Sequence, residues 1–166
     1  HRIICQTKFQ KDIYDRNLKC PEKTVSFSGN LWSEEHLKLL ESLASVEKNS
    51  KCAIIDSKYP QKGVNESIQH CKENNLEYEV IGDPDYSKFL ELLSLYSSLV
   101  FHPSTPETCC RVILEAKMMG LKTITNKLIG ASYEEWYNLN GIELINEMRN
   151  KRKSLVDFIR GIKQDE

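Results

Sequence analysis

The chain has 166 residues, 40% of them hydrophobic, which is enough for one α/β core with a short appended segment and too few for two full-sized domains. Lys and Arg number 23 against 24 for Asp and Glu, so the net charge of -1 sets up no one-signed field to gather nucleic acid. Six cysteines, at 5, 20, 52, 71, 109 and 110, show neither a C-x-x-C pair nor zinc-site spacing and read as reduced thiols of a cytoplasmic protein. No apolar run approaches the roughly 20 residues that span a bilayer. The opening His1-Arg2-Ile3-Ile4 is unlike a signal peptide, and the lack of an initiator Met reads as a fragment or processed chain.

Residues 1–50 read as an incomplete α/β segment. It has a strand at Arg2 to Gln6, a helix to about Leu18, a strand at Thr24 to Phe27 and a helix opened by Ser33. Glu34 and Glu35 favour that last start, and Leu37, Leu40, Leu43 and Ala44 give it an apolar stripe. After residue 50, short β-rich runs at 52–56, 78–81, 98–101 and 122–125 alternate with helical stretches at 64–74, 87–96 and 108–119, the last ended by Gly120. That order predicts a Rossmann-like parallel sheet with flanking helices. Loops 57–63, 82–87, 102–108 and 126–132, at the carboxyl ends of the strands, should form one ligand cleft. The last 25 residues read as terminal helices, whose basic run Arg149 to Lys153 is a solvated face or a peripheral membrane contact.

The most informative stretch runs from Phe101-His102-Pro103-Ser104 through Glu107-Thr108-Cys109-Cys110-Arg111 to Glu115-Ala116 and Gly120. A helix starting near Thr108 would aim free main-chain N–H groups and a positive dipole end at the cleft, suited to a diphosphate. The order strand, Pro-Ser, Glu, seven residues, Glu-Ala and Gly resembles the donor-site signature of retaining GT-B glycosyltransferases of group 1, best from Cys52 to about Trp136. The resemblance implies a division at residue 50. Residues 1–50 would be the remnant of an N-terminal acceptor domain that is mostly missing, and 51–166 a donor domain for a nucleoside-diphosphate sugar of uridine or guanosine type.

On that resemblance Glu107 meets the donor sugar as the catalytic carboxylate, Glu115 holds the ribose diol, and Thr108, Cys109 and Cys110 border the diphosphate through main chain. A thiol at a helix N-terminus is expected to have a lowered pKa, against a reading of both cysteines as small packing residues. Lys62-Gly63 resembles the family pair whose Lys neutralises the diphosphate, with Lys58 standing in for an Arg the family places nearby. Asp83, Pro84 and Lys88 belong to the loop and helix start facing the nucleobase, and the D-x-D of Asp83 and Asp85 reads as turn and cap chemistry, with no metal expected. His102 is a secondary contact to the sugar or a packed strand end. Asn126, Gly130 and Ala131 resemble the loop that lets the ligand approach the backbone. Two departures stand out: the donor half is one βα unit short between Lys62 and Gly82, and Thr108-Cys109-Cys110 replace a glycine-rich turn.

The activity implied is hexosyl transfer from a nucleotide sugar to a glycan or lipid-linked acceptor, in polysaccharide or glycolipid synthesis, in the cytoplasm or at the membrane surface, and inactive in this chain alone. No cofactor beyond the donor substrate is implied. The alternatives are a catalytically silent Rossmann-like scaffold, a receiver-like signalling domain and a dinucleotide oxidoreductase. His102 stands where a receiver needs its acceptor Asp, and no G-x-G-x-x-G follows a strand.

Overall fold

The computed structural model describes residues 2–164, with side chains described to residue 161. A first unit consists of β1 (Ile3–Cys5), α1 (Lys8–Leu18) and β2 (Thr24–Ser26), the two strands pairing in parallel. Thr7 opens α1 by accepting a hydrogen bond from the Gln10 N–H, satisfying one of the helix's unpaired donors. Then come α2 (Glu34–Ala44), β3 (Asn49–Ile55), α3 (Val64–Glu73), β4 (Tyr78–Ile81), α4 (Tyr86–Ser94), β5 (Tyr96–Phe101), α5 (Arg111–Met118), β6 (Lys122–Thr125) and α6 (Gly141–Gln164). Strands β3 to β6 form a four-stranded sheet of order β4-β3-β5-β6, parallel throughout, as the alternation of short β-rich and longer helical runs predicts.

The central strands are apolar on both faces because both faces are covered. Ala53, Leu99 and Phe101 join a core with residues of α2, α4, α5 and α6, including Leu37, Leu40, Leu90, Leu93, Ile113, Leu114, Leu144 and Ile145. Cys52, Ile54 and Val100 point the other way and pack under α3 with Cys71 and Ile68. Helix α2 therefore belongs to the core of the four-stranded unit, although it lies within residues 1–50. Burying its three leucines contributes roughly 1.5–3 kcal/mol each.

Several boundaries depart from the sequence reading: β3 starts at Asn49 and β5 at Tyr96, which the sequence reading places at the end of a helix. The C-terminal helices are one 24-residue helix, held at its middle by Arg149, whose guanidinium lies 2.9 Å from both Glu34 and Glu41 of α2. Part of the basic run is thus an internal tie rather than a solvated face. Helix α5 begins at Arg111 rather than Thr108, because Cys110 takes a left-handed conformation (φ 53°, ψ 78°) that the helix cannot continue through. No described helix is long and apolar enough to cross a membrane.

Candidate functional site

The chain leaves β3 toward β4 on one side and returns to β5 on the other, so the crevice beyond the carboxyl ends of β3 and β5 is the topological switch point of the sheet. A cavity of about 300 Å³ opens there, lined by Asp56, Ser57 and Lys62 after β3, Tyr86 and Phe89 of α4, and Glu107, Cys110 and Arg111 before and in α5. A second hollow of about 470 Å³ shares Asp56, Ser57, Tyr86 and Phe89 and extends over Lys58, Gly82, Asp83 and Pro84. Together they make one cleft running from the β4 loop to the start of α5.

Its floor is set by two close approaches. Gly63 has φ +68°, and a Cβ there would sit 1.7 Å from the His102 carbonyl oxygen, so only glycine lets the Lys62 turn lie against the end of β5. Glu107 is pinned by its own main chain: its N–H donates to Leu128 O at 2.9 Å, and its carbonyl accepts from the Gly130 N–H at 2.7 Å. The Lys62 ammonium lies 2.5 Å from the Glu107 carboxylate, both partly within solvent reach. The residues that resemblance assigns to diphosphate and sugar are therefore paired with each other, and an incoming phosphate would compete with a carboxylate for one cation. Helix α5 aims its first N–H groups at the same cavity, with the Arg111 guanidinium beside them.

Glu115 is fully buried one turn further in. Its Oε1 accepts from Trp32 Nε1 at 3.1 Å and pairs with His36 Nε2 at 2.9 Å, Arg111 Nη2 lies at 3.6 Å, and Oε2 accepts from the Tyr86 hydroxyl. Burial pushes the Glu115 carboxyl up, but the hydrogen bonds from His36, Tyr86 and Trp32 outweigh it and hold the group below the usual carboxylate range. Burial, then the Glu115 charge, raises the Tyr86 phenol above its ordinary value.

Of the remaining sequence-predicted residues, Cys110 borders the cavity and Lys58, Asp83 and Pro84 border the second hollow, while the others fall outside the cleft lining. Thr108 is turned to the first unit: its hydroxyl donates to Gln6 Oε1 at 2.8 Å and its carbonyl accepts from Thr7 Oγ1 at 3.0 Å. With α5 beginning at Arg111, Thr108 and Cys109 precede the helix, and main-chain donation passes to its first residues. Burial pushes both the Cys109 and Cys110 thiols up to about 12, the reverse of the expected lowering, because desolvation exceeds the pull of the helix end. Both side chains pack in the core, and Cys110 also borders the cavity. His102 faces α3, its ring 4.6 Å from that of His70, in a separate hollow with Glu66 and Gln69; burial, then His70, depresses its pKa. Lys88 offers only its main-chain N–H, to Asp85, which caps α4 while Asp83 accepts from the Asp85 N–H. Asn126 bonds Pro103 O, Gly130 lies against the Thr108 carbonyl, and Ala131 is buried, so their loop supports Glu107 from behind.

Sequence reasoning missed Arg111, Tyr86, Trp32 and His36. Arg111 was legible as a cation at a helix start beside the motif, but its neighbours on Glu115 come from 79 and 83 residues away in sequence and from another helix.

No protein-family model matches the chain, and no curated protein matches it in sequence. In three dimensions it is similar to the crystal structure of WaaG, a glycosyltransferase involved in lipopolysaccharide biosynthesis, with a TM-score of 0.50 and 15% identity over 90% of this chain. The match covers 53% of the WaaG chain, so this chain spans about half that length. The likeness is one of fold: parallel α/β architecture of the kind that forms a Rossmann-like half of a GT-B glycosyltransferase.

Proposed function

We propose that this chain is the donor half of a glycosyltransferase, binding a nucleoside-diphosphate sugar in the switch-point cleft for retaining transfer to a glycan or lipid-linked acceptor. The observation that carries the reading is the convergence of Lys62, Arg111, the α5 N-terminus and Glu107 on one cavity at the carboxyl ends of a parallel sheet. A diphosphate placed there meets two cations and the positive end of a helix, the field that stabilises a departing phosphate. Taking Lys62 from Glu107 frees that carboxylate for the hydroxyls of the sugar. The hollow over Asp83 and Pro84 then receives the nucleobase, with the Tyr86 and Phe89 rings as its wall.

One observation favours a second reading, a silent scaffold: the Glu115 carboxylate, assigned to the ribose, already has all its partners inside the protein. Calorimetric titration with uridine, guanosine, adenosine and thymidine diphosphate sugars separates the two. The donor reading requires saturable binding of at least one sugar nucleotide, and Glu107→Ala should weaken that conjugate more than the free diphosphate. Absence of binding across the panel selects the scaffold.

A further inference from the structure

Tyr86 occupies an unusual position between the cleft and the buried carboxylate behind it. It is the first residue of α4, is 48% exposed as a residue and lines both hollows, yet its hydroxyl is bound to Glu115 Oε2. The other oxygen of Glu115 is taken by Trp32, which is itself buried, and by His36 of α2. Of the groups on Glu115, Tyr86 and Arg111 each open a helix with an exposed side, and Tyr86 is the one that holds Oε2. Its ring stacks loosely with Phe89 at 5.9 Å and His36 at 6.2 Å between centroids.

We infer that Tyr86 is a built-in competitor for the ribose: its hydroxyl holds the Glu115 carboxylate and must leave before a nucleotide's diol can bind there. This rests on the donor-site reading above and adds the residue that closes the site. The exchange is one O–H donor for another on the same carboxylate oxygen, so no buried charge is left bare. The seal lowers nucleotide affinity by the free energy that the Tyr86–Glu115 contact contributes. A ligand without ribose, using only Lys62, Arg111 and the α5 N-terminus, does not meet that competition.

The test compares the parent chain with Tyr86→Phe, using uridine diphosphate, guanosine diphosphate and inorganic pyrophosphate as probes in calorimetry. The variant should bind the nucleoside diphosphates about tenfold more tightly, since a hydrogen bond to a charged group is broken only in the parent. Pyrophosphate affinity should be the same in both. Equal nucleotide affinity in parent and variant overturns the role of Tyr86 while leaving the donor site standing; no nucleotide binding by either overturns both. A second measurement needs no substitution in the sample titrated. In chain labelled with 3-fluorotyrosine, the Tyr86 fluorine resonance, identified by its loss in Tyr86→Phe, should move with nucleotide and stay with pyrophosphate. A resonance that stays fixed at saturating nucleotide overturns the inference.

Discussion

Replacing Glu115 by alanine tests whether that carboxylate is a keystone of the fold as well as a ribose group. The substitution removes the acceptor of the buried Trp32 indole N–H and of the His36 and Tyr86 side chains. A buried donor left without a partner costs about 1–3 kcal/mol, and the two partly exposed donors, which water can reach, cost about 0.5–1.5 kcal/mol each. Relief of the carboxylate's own desolvation offsets part of this, leaving an expected loss of about 2–4 kcal/mol. For a chain of this length that lowers the Tm by about 5–15 °C. Urea unfolding followed by far-ultraviolet circular dichroism reads the difference, with Glu107→Ala as control. The Lys62–Glu107 pair is partly exposed, with side chains 39% and 20% accessible, so that control should lose no more than about 1 kcal/mol. If Glu115→Ala is no more costly than Glu107→Ala, the buried network does not hold α2, α4 and α5 together and the account of the site's inner wall is wrong.

Gly63→Ala should cost at least about 2 kcal/mol, through left-handed strain and collision with the His102 carbonyl; a melting temperature equal to the parent's would refute the close approach. Lys62→Ala should weaken nucleoside diphosphate binding and flatten its dependence on added salt, measured by calorimetry at several ionic strengths, because an exposed ion-to-phosphate contact is screened. The depressed Glu115 pKa sets a sign for acid stability. A carboxylate held below its unfolded value contributes stability that is present above about pH 4.3 and is lost as pH falls through the folded pKa. Relative to Glu115→Gln, the parent should therefore lose stability more steeply below that pH, and parallel curves from pH 7 to pH 3 would contradict the shift.

Much of the fold was legible because periodicity and caps are local properties. The strands at 52, 78, 98 and 122, the Ser33 cap and the Gly120 stop needed only neighbouring residues to be recognised. The start of α5 was misplaced because nothing in Thr108-Cys109-Cys110 announces that a non-glycine residue adopts φ 53°; burial of the Cys110 side chain in the core holds it there. The same burial reversed the expectation for the thiols. At the site, Lys62, Glu107 and Glu115 were singled out by resemblance, and Lys62 and Glu107 do line one cavity, but their partners were not legible. The Lys62–Glu107 contact and the Trp32, His36 and Tyr86 cluster on Glu115 are long-range meetings that no local pattern encodes. His102 shows the converse: its place at the end of β5 was clear, and the face of the sheet to which its ring turns was decided by packing against α3.

The central claim is that the cleft between Lys62, Arg111 and Glu107 receives a nucleoside-diphosphate sugar. Calorimetry on the intact chain with the four sugar nucleotides, repeated at low and high salt, tests it most directly. The account predicts saturable, one-to-one binding of at least one of them that weakens as salt rises and is reduced by Lys62→Ala. Failure of all four to bind at millimolar concentration, with the chain folded, would contradict it.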